Sequence, residues 1–153
     1  MKKLILFVLA LGFLFQMNAF GQTRMDGKNF SLGVEFGDFP GICSKIWVTD
    51  TNAIAMGVGF GSYTRVHADY LWHNFDIFKV DSGRLPMYYG FGGIINTGVG
   101  NTATFGVRGV FGTSYIFNNN NFDLFFELCP TLRLYADSGL YLSGAVGVRF
   151  YFL

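Results

Sequence analysis

The chain has 153 residues, 11 basic and 10 acidic, and is 51% hydrophobic, 19% aromatic and only 14% charged. One domain fits that length, and the lack of any basic excess excludes a nucleic-acid-binding protein. Beyond the amino-terminal run no apolar stretch is long enough for a spanning helix, while 21 glycines and 19 phenylalanines favour sheet over helix.

Residues Met1 to Gly21 follow the secretory signal pattern. Lys2 and Lys3 make a positive start, Leu4 to Phe15 an apolar stretch, and Ala19-Phe20-Gly21 a small-x-small cleavage signal before Gln22. The alternative is an uncleaved anchor, but the apolar stretch is short for one. Cleavage near Gly21 leaves 9 basic and 10 acidic residues on an exported chain. Its two cysteines, Cys43 and Cys129, then meet an oxidising compartment. They fall on the second and seventh of the strands predicted below, which are not neighbours. Two small buried side chains are therefore the default, and a bridge across the interior the alternative.

Residues 22–28 are polar and read as a disordered lead-in. From Asn29 the pattern alternates with the strand period of two. Phe30, Leu32, Val34 and Phe36 oppose Ser31, Gly33, Glu35 and Gly37 over residues 29–37. After the turn Asp38-Phe39-Pro40-Gly41, residues 42–48 set Cys43, Lys45 and Trp47 on the polar side. The turn Thr49-Asp50-Thr51-Asn52 leads to a third strand, 53–63, with Ile54, Met56, Val58 and Phe60 opposite Ala55, Gly57, Gly59 and Gly61. Strand four, 65–73, opposes Val66, Ala68, Tyr70 and Trp72 to Arg65, His67, Asp69, Leu71 and His73. Residues 74–84 form the longest connection. Strand five spans 85–95, a glycine- and asparagine-rich loop 96–101, and strand six 104–117 with Arg108, Gly112 and Ser114 on its polar side. After the turn 118–121, strand seven (122–134) opposes Leu124, Phe126, Leu128 and Leu132 to Asp123, Glu127, Cys129 and Thr131. Pro130 lacks a donor there, so a bulge or strand end is expected near it. A turn over 135–139 leads to the last strand, 140–153.

Eight antiparallel strands on short links predict an all-β, up-and-down transmembrane β-barrel over residues 29–153. A soluble barrel, apolar within and polar without, is the rival. The two faces decide between them. One is almost wholly Leu, Ile, Val, Phe, Tyr and Trp; the other is Gly, Ala and Ser with isolated charges. Solvent-facing strands would carry many more Lys, Glu, Gln and Thr. A cationic side chain on a lipid face costs roughly 2–4 kcal/mol at mid-membrane, which explains why the apolar face avoids charge. Trp72, Tyr70, Tyr89, Tyr115 and Phe150 are candidates for interfacial girdles. Glu35, Lys45, Asp69, Arg108, Glu127 and Arg149 then fall inward, three acidic and three basic. Buried charges persist only when paired. The expectation is a balanced lumen charge network that plugs a narrow barrel.

The signal, the alternating strands and the aromatic end Val148-Arg149-Phe150-Tyr151-Phe152 resemble bacterial outer-membrane β-barrels of the OmpA-transmembrane-domain type. More narrowly, several phrases resemble a family of short outer-membrane barrel proteins without an established activity. They are Pro40-Gly41-Ile42 with Lys45 and Trp47, His67-Ala68-Asp69-Tyr70 with His73-Asn74-Phe75, Gly83-Arg84-Leu85-Pro86 with Tyr88-Tyr89-Gly90, and Gly147-Val148-Arg149. The resemblance implies a bacterial outer-membrane location, outer-membrane lipid as surroundings, and delivery by the barrel-assembly machinery through the C-terminal strand. In such barrels a terminal Phe is the usual assembly signal; here Leu153 follows Phe152.

No catalytic residues, metal or cofactor are expected. His67 and His73 share one strand face and form a possible lumen polar cluster, but neighbours on a face stand about 7 Å apart, too far for these two to share a metal. His67 with Asp69 would need further ligands from other strands. Ser62, Ser114 and Ser143 have no nucleophile motif around them, so a lipid-acyl-modifying enzyme ranks behind narrow-pore transport, and both rank behind a structural or interaction role. With the amino terminus on the periplasmic side, the outer loops are short, which disfavours an adhesin. The 74–84 connection leaves room for a weak periplasmic contact through Asp76, Lys79, Asp81 and Arg84.

Overall fold

The computed structural model describes residues 27–99, 102–135 and 138–152. The predicted signal peptide and its cleavage site, most of the lead-in and Leu153 lie outside the described residues. Eight strands follow in chain order: β1 (Phe30–Gly37), β2 (Gly41–Trp47), β3 (Asn52–Phe60), β4 (Thr64–Asn74), β5 (Met87–Val99), β6 (Thr102–Ile116), β7 (Phe122–Arg133) and β8 (Gly139–Phe152). Each pairs antiparallel with the next, and β8 closes on β1, so the sheet is a closed barrel with no free edge. Stepping from partner to partner starting at Phe150 passes Leu32, Ser44, Met56, Ala68, Gly93, Val107 and Leu132 and returns to β8 at Leu140. That offset of ten residues is the stagger that tilts the strands and sets a narrow bore.

The period of two holds around the barrel. In β7, Asp123, Phe125, Glu127 and Cys129 are buried, while Leu124, Phe126 and Leu128 between them are exposed. The apolar row therefore faces outward. Phe91 is 60% and Phe111 59% exposed, whereas Lys45, Arg149 and Asp123 are at most 1% exposed. Apolar side chains share the interior with the charges. Ala55, Leu71, Tyr88, Val110 and Cys129 pack in one cluster. Trp47, Ala53, Ile116 and Tyr151 form another near the chain ends, with Phe75 lodged against it.

Several local expectations need correction. Of the residues 96–101 expected in a loop, 96–99 belong to β5, with a register shift between Asn96 and Val99 at Gly98, whose φ is +95°; residues 100 and 101 lie outside the described residues. Leu85 and Pro86 do not begin β5, although Arg84 bridges Ile116 and the Pro86 carbonyl accepts from Ser114 N–H. Nor does Pro130 force a bulge or an end. Pairing with β8 continues through Pro130 and Leu142, and pairing with β6 resumes in unchanged register after skipping Gly109 and Val110. The missing donor thus falls on the β6 side, beside Gly109, where even a Cβ would make only ordinary contact with Pro130 Cγ, at 3.4 Å. Lys28 is no part of a disordered lead-in, since its ammonium donates to the Asn119 carbonyl at 3.2 Å. The two cysteines are free and buried.

Candidate functional site

The strand alternation turns every predicted charge into the lumen, and the register decides which of them meet. Asp69, Gly92 and Arg108 lie in one row across β4, β5 and β6. Gly92 is the spacer: a Cβ there would stand 2.2 Å from Asp69 Oδ1. With no side chain in the way, Arg108 Nε comes to 3.2 Å from Asp69 Oδ1. The same device recurs one step along. Tyr88, Gly112 and Glu127 share a row across β5, β6 and β7, and the Tyr88 hydroxyl donates to Glu127 Oε1 at 2.8 Å over the glycine. Arg108 Nη2 also lies 3.7 Å from Glu127 Oε2, so one guanidinium stands between two carboxylates. It donates to Cys129 Sγ at 3.0 Å as well.

Arg149 belongs to a second centre. Its guanidinium makes a two-pronged contact with Asp123, Nε to Oδ1 at 2.9 Å and Nη2 to Oδ2 at 3.2 Å, the geometry in which an arginine–carboxylate pair is strongest. Tyr151 donates to the same carboxylate at 2.7 Å, and Trp47 Nε1 donates to the Tyr151 hydroxyl at 3.3 Å. Below the guanidinium the Phe125 ring lies 4.0 Å away. Asp123 was missing from the predicted charges although it shares a face with Glu127. Its partner is set by the register: ten residues outward from the Arg133–Gly139 pair lie Asp123 and Arg149, whereas an equal count from the predicted 135–139 turn would pair Asp123 with Tyr151. With Asp123 included, the buried charges among the described residues are four acidic (Glu35, Asp69, Asp123, Glu127) and three basic (Lys45, Arg108, Arg149), not the three of each expected.

Lys45 and Glu35 stand outside those ion pairs. The Lys45 ammonium is wholly buried and lacks a hydrogen-bond partner, and it lies 4.7 Å from the Trp47 ring centre and 4.9 Å from that of Tyr88. Two aromatic faces hold it by their quadrupoles. Glu35 borders the niche left by Gly57, where a Cβ would meet Glu35 Oε1 at 2.9 Å and His67 Cε1 at 2.5 Å. The two histidines do not form one cluster. His67 lies 3.8 Å from Asp69. His73 sits toward the chain-end opening, with its ring centre 4.4 Å from that of Trp47 and 4.7 Å from that of Tyr88, and its Nδ1 3.1 Å from the Thr51 carbonyl. Six residues along the same face of β4 separate the two, as the strand rise requires. Of the serines, Ser114 is buried in the lumen, Ser143 donates to the Cys129 carbonyl at 3.1 Å, and Ser62 is exposed in the link after β3.

Both ends of the bore are filled. Toward the chain ends Phe75, from the long connection, packs on Trp47 and His73, 6.0 and 6.3 Å between ring centres. At the opposite end the Arg65 guanidinium lies 3.8 Å from the Phe39 ring, which in turn contacts Tyr63. Arg133 and Arg65 both donate to the Tyr63 hydroxyl, at 3.1 and 3.4 Å. Beneath this lid a space of about 20 Å³ remains beside Glu35, His67 and Arg108, room for about one water. Asn96, expected in a loop, is instead a lumen residue, accepting from Arg65 Nε at 3.1 Å and donating to Thr104 at 3.0 Å.

No protein-family model matches the sequence, and no curated protein matches it either. Among solved structures, the chain is similar to the N-terminal β-barrel domain of Pseudomonas aeruginosa OprF, with a TM-score of 0.61 and 17% identity. The match covers 82% of this chain and 98% of that one. The chain therefore has the closed eight-stranded, OmpA-like barrel fold of that domain.

Proposed function

We propose that this is an exported bacterial outer-membrane barrel, its lumen closed by its own side chains, with a structural or interaction role rather than a catalytic one. The observation that carries it is the inverted distribution of polarity. Charges lie inside, and a continuous apolar wall with Leu142 71% and Phe111 59% exposed lies outside. Water would penalise such a wall along its whole circumference, while hydrocarbon would not. The aromatic pairs Trp72–Tyr89, Tyr115–Phe117 and Phe122–Phe150 gather near the chain-end rim and fit an interfacial girdle. Assembly through β8 by the barrel-assembly machinery goes with this proposal.

Small-solute passage is the second reading. Lys45 Nζ, His67 Nδ1, His73 Nε2 and Ser114 Oγ are buried without hydrogen-bond partners, and buried polar atoms of that kind recruit water. A thread of such waters is the route this second reading requires. Conductance of the purified full chain in a planar bilayer separates the two. A plugged barrel gives no steady current, whereas regular single-channel steps would establish the pore.

A further inference from the structure

The outer wall is not convex everywhere. Where β6, β7 and β8 reach the chain-end rim, a hollow of about 480 Å³ opens outside the barrel, a volume within the range of small-molecule sites. Its floor is a piece of the apolar wall: Phe122, Leu124 and its register partner Val148. Its overhang is polar and belongs to the connection between β4 and β5 and to the turn after β6. Tyr115 donates to the Ser82 carbonyl at 2.9 Å and the Asn118 amide to Ser82 Oγ at 2.7 Å, while Gly83 N–H donates to Asn118 Oδ1. These bonds fasten the overhang to the wall, so the hollow exists before anything enters it. The ammonium of Lys28 is tied to the carbonyl of Asn119, another lining residue, and puts a positive charge on the rim.

We infer that this hollow is a phospholipid site: one acyl chain lies on Leu124 and Val148, and the phosphate sits at the rim beside Lys28 and the asparagine amides. Apolar floor, amide rim and cation succeed one another in the order in which a phospholipid presents chain, ester and phosphate. The floor is also continuous with the wall proposed to meet hydrocarbon, so a lipid enters sideways without leaving the bilayer. The inference rests on the membrane assignment, but it concerns one ordered lipid rather than the surrounding annulus.

The test is native mass spectrometry of the full chain in detergent, titrated with phosphatidylglycerol and, separately, with a diacylglycerol bearing the same chains. The expected result is one phospholipid adduct that outlasts the others and a much weaker diacylglycerol adduct. Lys28→Gln should weaken the phospholipid about fivefold, the effect of one basic residue at a lipid surface. Ser82→Trp or Val148→Trp, each filling the hollow, should remove the adduct while the heat-modifiable gel shift of the folded barrel persists. Equal binding of diacylglycerol, or unchanged binding in all three variants, would overturn the site. A chain showing no heat-modifiable shift and needing no detergent would overturn the membrane assignment instead.

Discussion

Asp123→Ala is expected to destabilise the folded barrel by about 3–5 kcal/mol, the cost of leaving one member of a buried ion pair alone. The reason lies in what converges on that carboxylate: both prongs of the Arg149 guanidinium and the Tyr151 hydroxyl, itself accepting from Trp47. With Asp123 gone, a guanidinium 1% exposed loses the carboxylate that its Nε contacts at 2.9 Å. The double replacement Asp123→Leu with Arg149→Met should recover most of the loss, because an apolar pair of similar volume removes the desolvation of both charges. Urea unfolding in lipid vesicles, followed by tryptophan fluorescence, measures both. A loss below about 1 kcal/mol in the single variant, the worth of an exposed pair, would mean that the charges are solvated rather than plugged.

Leu128→Arg carries the second large effect. Leu128 lies midway along β7 and is 43% exposed on the outward face. At the centre of a bilayer the arginine should cost roughly 2–4 kcal/mol, falling to about 0–1 near the interface. Phe60→Arg, at the far end of β3 on the same outward face, supplies that shallow comparison. The difference between the two positions is the informative quantity, since any cost from lost side-chain packing is shared by both. Equal stability of the two variants in the same vesicles would place the wall in water.

The strand count and the division into two faces were legible in the sequence because both are one-dimensional. A period of two with unlike faces fixes which residues point together, as it did for His67, Asp69, Leu71 and His73 on β4. What it does not fix is who meets whom across the bore. Arg108 reaches Asp69 only because register puts Gly92 between them, so the glycines read as small lumen residues are spacers that choose the ion pairs. Asp123 escaped for a similar reason: its importance comes from Arg149 opposite it, not from its neighbours in sequence. Asn96 was hidden by composition, since a run of Asn and Gly reads as loop, whereas β5 continues to Val99 through a register shift at Gly98. The Phe75 stopper was beyond reach, because a connection with no period carries no information about which of its two phenylalanines, Phe75 or Phe78, will turn into the bore.

The two tryptophans offer the most direct test of which face meets hydrocarbon. Trp47 is 1% exposed in the lumen, and Trp72 is half-buried on the outer wall, its ring centre 5.8 Å from that of Tyr89. Single-tryptophan forms made by Trp47→Phe and Trp72→Phe, folded into vesicles of brominated phospholipid, report contact with acyl chains by quenching. The barrel described above predicts strong quenching of Trp72 and little of Trp47. An unquenched Trp72 that iodide in the surrounding water quenches instead would contradict it.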